Sequence, residues 1–203
     1  MTLHLVCDIS GSMAAEDMEP TRMDAARAAA IEFVQRQPVM VRVGVVAFSE
    51  SGFTVQPPTN DQAAIFATLN RLRPERGTSL ASGILASLNT IFATPEPSGA
   101  VYSNITPTPE PTPVPVPPGS YESAAIVLLT DGENTAPPEP YEAAQAAADR
   151  GVRIYTIGMG SSAGTTIEIE GLTYCTSHDE ELWRNVAEMT AGGSYNAQDE
   201  EEL

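Results

Sequence analysis

Apolar positions along the chain follow two different periods. Leu3–Ile9 is a short, nearly continuous apolar run interrupted late by an aspartate, the pattern of a strand buried on both faces. Small and acidic residues over Ser10–Pro20 read as a loop. From Thr21, which can cap a helix, Ala25, Ala29 and Phe33 recur at helical spacing through Arg22–Arg36. Val39–Phe48 and the shorter Gly52–Val55 read as strands. Asn60 or Asp61 caps a helix running to about Leu72, and Thr78–Phe92 predicts a third helix with Leu80, Ile84, Leu88 and Ile91 on one face. Ser123–Thr130 is a strand whose Ala-Ala-Ile-Val-Leu-Leu is continuous rather than alternating. An alanine-rich helix over Glu139–Arg150, a strand over Val152–Ile157, a helix over Asp179–Thr190, a short strand at Ser194–Asn196 and the tail Asp199–Leu203 complete the order. Continuous apolar strands alternating with helices predict an α/β fold: an open, mostly parallel sheet, doubly wound, with helices on both faces.

One segment breaks this order. Residues 94–120 hold nine of the 17 prolines, many of them at every second position. A proline has no N–H for a sheet ladder, so the segment reads as extended polyproline-type chain inserted at the surface. The expectation is a single domain over 1–203 carrying this proline-rich insertion, a length ordinary for one domain.

Charge narrows the chemistry. All ten basic residues are arginine, against 27 acids, for a net charge of −17. Without lysine, a Walker A phosphate loop, a protein-kinase site and Schiff-base chemistry are excluded. So much negative charge argues against nucleic acid and against an anionic membrane surface as partners. The excess is uneven: residues 1–102 carry 10 acids and 7 arginines, residues 103–203 carry 17 and 3. Most of these carboxylates serve solubility. No apolar run approaches the roughly 20 residues that span a bilayer, and the start of the chain lacks a signal-peptide pattern. Cys7, in an apolar run, and Cys175, in a polar stretch, have no metal-ligand neighbours at useful spacing; they are free thiols or one bridge.

In open α/β sheets, ligands bind beyond the carboxyl ends of the strands. The first strand ends in Asp8-Ile-Ser10-Gly-Ser12, and the strand 123–130 ends in Thr130-Asp131-Gly132-Glu133. Between them, Arg76-Gly77-Thr78-Ser79 opens a helix. These loops converge if the two strands are neighbours, and they bring carboxylates and hydroxyls without histidine or thiolate. Hard oxygen donors of this kind suit Mg²⁺, Mn²⁺ or Ca²⁺ rather than zinc. Few formal charges around the ion leave it able to take an anionic ligand from outside.

Asp8-x-Ser10-x-Ser12, then Thr78, then Thr130-Asp131-Gly132 in that order resembles the von Willebrand factor A domain and its metal-ion-dependent adhesion site. Gly151–Gly158 and Ala191–Tyr195 also resemble this family, especially its bacterial members. The resemblance implies a Rossmann-like fold with one antiparallel edge strand, and no enzymatic activity. It implies that Ser10 and Ser12 ligate the metal, that Thr78 does so directly or through water, and that Asp8 and Asp131 act mainly through waters and hydrogen bonds. A partner's Asp or Glu, or a water, takes the remaining position. A scaffold whose metal is purely structural is the alternative within binding modules. The family's final helix would be at most one turn before Leu203. Membrane-anchored relatives and the proline-threonine insertion lean towards the extracytoplasmic part of a membrane-anchored parent.

Other motifs compete. Gly160-Ser-Ser162-Ala-Gly164 fits a serine-hydrolase nucleophile elbow, with Glu168 or Glu170 and then His178 following. An elbow must turn straight into a helix, whereas Thr165–Gly171 alternates like a strand or hairpin arm. Aspartyl phosphoryl transfer at Asp8 lacks both a second aspartate at position 10 and a lysine. His4 reads as packed in its strand, His178 as a loop or helix-start residue, Trp183 as core, and Met13 and Met18 as an adaptable apolar rim to the metal loop. Glu16, Asp17, Glu19 and Glu133 crowd the metal face with negative charge, so the expected partner is a protein whose carboxylate is flanked by Lys or Arg.

Overall fold

The computed structural model describes residues 1–93, 114–160, 165–169, 172–176 and 179–197. Its strands are β1 (Thr2–Asp8), β2 (Arg42–Phe48), β3 (Gly52–Thr59), β4 (Ala124–Thr130), β5 (Arg153–Gly158), β6 (Thr165–Ile169), β7 (Leu172–Thr176) and β8 (Ser194–Asn196). Its helices are α1 (Arg22–Arg36), α2 (Gln62–Leu69), α3 (Leu80–Phe92), α4 (Pro140–Asp149) and α5 (Glu180–Met189). Six strands form one sheet in the order β3-β2-β1-β4-β5-β8, parallel except for β3. β6 and β7 pair as a separate antiparallel hairpin. The mostly parallel, doubly wound α/β sheet with one antiparallel edge strand is the fold expected.

The continuous apolar strands are explained by burial on both sides. Leu3, Leu5, Cys7, Val45 and Val127 face α1 and α2, where Met23, Ala26, Ala30, Ile65 and Leu69 meet them. Val6, Val46, Phe48, Ile126 and Leu128 face α3, α4 and α5 through Leu80, Ile84, Ala144, Ala147 and Val186. Alanines on α1 and α4 let those helices lie close to the sheet. Cys7 is a free, buried thiol.

Several boundaries differ from the sequence expectation for identifiable reasons. β2 begins at Arg42 rather than Val39, because Val39 and Met40 lie exposed in the turn after Pro38. β3 continues past Val55 to Thr59 despite Pro57 and Pro58; it is an edge strand with a bulge against β2, where missing N–H groups cost the ladder little. α2 ends at Leu69, three residues early. Within the loop 10–20, Gly11–Ala14 form a 3₁₀ turn.

Residues 94–113 of the insertion lie outside the described residues. Its described part, residues 114–120, is mostly exposed and is anchored at two points. The Val116 N–H donates to Asp149 O at 3.0 Å and the Tyr121 N–H to Gly151 O at 2.9 Å, tying this stretch to the turn between α4 and β5. The tail beyond residue 197 is likewise outside. Among the described residues, no helix is long and apolar enough to cross a membrane.

Candidate metal centre

β1 and β4 are neighbours, with Cys7 opposite Leu129, so Asp8 and Asp131 emerge side by side at the carboxyl end of the sheet. The crossover after β1 runs to β2 on one side while β4 lies on the other, which opens a crevice there. Asp8 is buried and held at both oxygens: the Ser10 N–H donates to Oδ1 at 2.8 Å, and the Thr130 hydroxyl donates to Oδ2 at 2.7 Å. Thr130 in turn accepts the Gly132 N–H at 3.0 Å, so the two strand ends share one hydrogen-bonded chain.

The 3₁₀ turn brings the Ser10 and Ser12 hydroxyl oxygens to 2.9 Å from each other. Adjacent corners of an octahedron with Mg–O bonds of about 2.0–2.1 Å are separated by about 2.9 Å. The two hydroxyls are hydrogen-bonded to each other here, and the same spacing matches adjacent ligand positions of such an ion. Thr78 comes to the same end from the α3 side: its N–H donates to the Thr135 hydroxyl at 3.0 Å, and its carbonyl accepts the Thr135 N–H at 3.0 Å. The Glu75 N–H donates to Ile9 O at 2.6 Å, tying the loop before Thr78 to the residue between Asp8 and Ser10. Among the described residues the Thr78 side-chain hydroxyl takes part in no hydrogen bond. Asp8, Ser10, Ser12, Thr78 and Asp131 are thus gathered at one end of the β1/β4 crevice, all five buried.

The electrostatics fit a cation. Burial, and then the neighbouring Asp131 charge, push the Asp8 carboxyl up to about 7, although hydrogen bonds from Ser10 and Thr130 favour its ionised form. Burial and Asp131 likewise raise the Glu133 carboxyl, against the pull of Arg22. Among the described residues no group of three His, Cys, Asp or Glu side chains converges; what gathers at this crevice is hydroxyls beside two carboxylates. That set suits a hard divalent ion.

Arg22 is the member that sequence reasoning misses, because the helical pattern marks it only as the first residue of α1. Its fully buried guanidinium donates to Asp131 Oδ2 at 2.9 Å and to both oxygens of Asp17 at 2.7 Å. Burial alone would lower its pKa, but the two carboxylates outweigh that and hold it above the ordinary value. The available signal is a cation at a helix N-terminus, where the macrodipole disfavours it unless anions stand close.

Residues 3–133 match the von Willebrand factor type A domain family. The chain belongs to that family. Two relatives are UPF0353 proteins, from Mycobacterium ulcerans (34% identical over 200 residues) and Mycobacterium tuberculosis H37Ra (33% over 200 residues). In each case the match covers 95% of this chain and 54% of the relative, so the chain spans about half the length of the curated relatives it matches. Among solved structures, an aerotolerance-related membrane protein from Bacteroides fragilis superposes with a TM-score of 0.74 at 24% identity, covering 96% of this chain and 90% of that one. A von Willebrand factor type A protein from Catenulispora acidiphila gives 0.64 at 19%, covering 96% and 38%. Proximal thread matrix protein 1 of the mussel byssus, solved with a zinc-occupied MIDAS motif, gives 0.59 at 16%, covering 97% and 41%. These likenesses show the von Willebrand A fold.

Around the site of this von Willebrand A domain, some expectations change. Asp17 is consumed by Arg22, so of the four acids expected to crowd the metal face it adds no free charge; Glu16 and Glu19 are exposed and Glu133 is half-buried. Met13 is fully buried in the core rather than on a rim. Met18 is partly buried, and its Sδ accepts the Gly160 N–H at 3.1 Å. Trp183 and His4 are buried, as expected. Ser162, Glu170 and His178 lie outside the described residues, as does the Glu168 side chain. The chain past Gly164 enters strand β6 rather than the helix that a nucleophile elbow requires.

Proposed function

We propose that this domain is a non-enzymatic, metal-dependent protein-interaction module. Ser10, Ser12 and Thr78 hold a divalent cation, most suitably Mg²⁺, and Asp8 and Asp131 support it mainly through water and hydrogen bonds. When bound, the ion supplies positive charge for a carboxylate from a partner protein. The observation that carries this reading is the buried Ser10–Ser12 hydroxyl pair, 2.9 Å apart, braced by Asp8 at the β1/β4 crevice. A metal in the same motif of the mussel thread protein supports the choice of a divalent ion.

The chain's own residues prepare that encounter. Asp8 orients the Ser10 backbone, and through Thr130 it fixes the end of β4. The β1–α1, α2–α3 and β4–α4 loops bring these residues together before any ligand arrives, which lowers the ordering cost of binding. Exposed Glu16 and Glu19 beside the site favour a partner whose carboxylate is flanked by Lys or Arg. The fold shared with an aerotolerance-related membrane protein supports a place in the extracytoplasmic part of a membrane-anchored parent.

Calorimetric titration with Mg²⁺, Mn²⁺ and Ca²⁺ tests the metal. Wild type is expected to bind at least one of them, and Asp8→Ala is expected to weaken that binding by about 10–100-fold, the usual loss on removing a group that orients metal ligands. No binding of any of the three, or binding unchanged in both Asp8→Ala and Ser10→Ala, overturns the reading. The partner chemistry is tested with the Mg²⁺-loaded domain and two peptides, Ac-Arg-Asp-Arg-NH₂ and Ac-Glu-Asp-Glu-NH₂. The first is expected to bind more tightly, and only while metal is present. Equal or reversed preference overturns the basic flank, and capture that survives chelation assigns the metal a structural role only.

A further inference from the structure

A buried arginine at the first position of a helix is an expensive arrangement. The positive end of the α1 dipole and the loss of water both oppose its charge. Three separate segments nevertheless hold it in place. Asp17, in the loop before α1, accepts from Nε and Nη2, each at 2.7 Å, in a two-pronged pair. Asp131, after β4, accepts from Nη1 at 2.9 Å through Oδ2 alone. Gly160, after β5, adopts φ +111° and lies so close that a Cβ there would be 2.7 Å from Arg22 Nε. Only a residue without a side chain fits against the guanidinium in that conformation.

The consequence for Asp131 is specific. Its Oδ2 is given to Arg22, and its Oδ1 accepts the Glu133 N–H at 3.3 Å. The carboxylate is thereby oriented and partly neutralised without any metal. We infer that Arg22 is the resident counter-cation and positioning residue of the metal centre: shared with Asp17, it offsets the buried Asp131 carboxylate when no metal is bound, and it holds Asp131 back from direct ligation when one is. The second half of this inference rests on the metal reading proposed above. A cation kept beside the site lowers affinity for the metal. In return, it keeps negative charge on the donors low, so that the bound ion retains attraction for an outside carboxylate.

Two measurements separate this from a merely structural role. In calorimetric titration with Mn²⁺ and Mg²⁺, Arg22→Met is expected to bind metal about tenfold more tightly than wild type, the scale of removing one charge a few ångströms from a divalent ion under water-like screening. Arg22→Lys, which keeps the charge, is expected to stay within about threefold of wild type. An arginine that only held the fold together would give weaker binding in Arg22→Met, and weaker or unchanged binding in a folded Arg22→Met overturns the inference. If Arg22→Met does not fold, Asp17→Asn decides through the opposite sign. A less neutralised guanidinium is expected to weaken metal binding by about threefold, and tightening overturns the inference.

The second measurement is made in chelator. Arg22→Met is expected to lower the thermal midpoint, and adding Asp131→Asn is expected to restore most of the loss, because the stranded carboxylate is removed with its partner. Losses that simply add overturn the pairing. A wild type that takes no cation counts against the proposed function alone, since this metal-free cycle still decides what Arg22 does.

Discussion

Alanine in place of Gly132 is expected to lower the stability of the domain by about 3 kcal/mol and to disorder the metal centre with it. Gly132 follows Asp131 directly and adopts φ +85°, a left-handed conformation that costs an L-residue roughly 1–2 kcal/mol. A Cβ there would also lie 2.7 Å from Asp179 O and 2.8 Å from Trp183 Cδ1. One of those atoms is backbone and the other belongs to a large, fully packed ring, so neither can move aside cheaply, and overpacking adds about 1–3 kcal/mol. The damage does not stay local. The Gly132 N–H binds the Thr130 hydroxyl, which binds Asp8, so a displaced residue 132 pulls on the support of Ser10. Urea denaturation of Gly132→Ala against wild type checks the first claim, and a loss below about 1 kcal/mol refutes it. A Mn²⁺ titration of the folded fraction checks the second, with unaltered affinity as the refuting result.

That close approach shows where sequence reasoning reaches its limit. The five candidate site positions can be read from the chain because each combines a local turn signal with a place at the end of an apolar strand or the start of a helix, and both signals are short-range. β3 reads too short in the sequence because Pro57 and Pro58 look like a stop. Only the pairing of β3 with a single neighbour, through a bulge, shows that the missing N–H groups cost the ladder little. Arg22 escapes for a similar reason. Its identity as a helix start is local, whereas its partner Asp131 is 109 residues away. The anionic crowd expected around the metal is too large for want of the same contact, since Asp17 is spent on Arg22. Apolar periodicity reports which face is buried, but it is silent on which buried polar groups satisfy one another.

The second large effect concerns acid. His4 stands in the middle of β1 between Gly44 and Ile126, only 1% exposed, and its Nδ1 has no hydrogen-bond partner among the described residues. Burial lowers its pKa from 6.5 to about 4. In the unfolded chain the ring takes its proton near pH 6.5, and in the folded protein only near pH 4. Between those values the unfolded state binds more protons, so the His4 contribution is complete above pH 6.5 and drains away as pH falls to 4. A tenfold change in proton affinity corresponds to about 1.4 kcal/mol, which puts the full loss on the order of 3 kcal/mol. In the metal-free protein Asp8 works in the opposite direction. With its carboxyl raised to about 7, the folded state takes that proton more readily, and stability rises as pH falls through the same window. The wild-type profile is therefore expected to be flatter than either group alone would make it, and only a comparison of variants exposes the histidine. His4→Leu removes the ring's titration and leaves Asp8 untouched. Urea denaturation in chelator at about pH 7.5 and about pH 4.5 is expected to show His4→Leu gaining on wild type by on the order of 2 kcal/mol between the two conditions, whatever its offset at the higher pH. Because both proteins carry Asp8, its contribution cancels in that difference, and an offset that does not change with pH would show that the ring takes its proton in the folded protein as readily as in the unfolded chain, which refutes the lowered pKa.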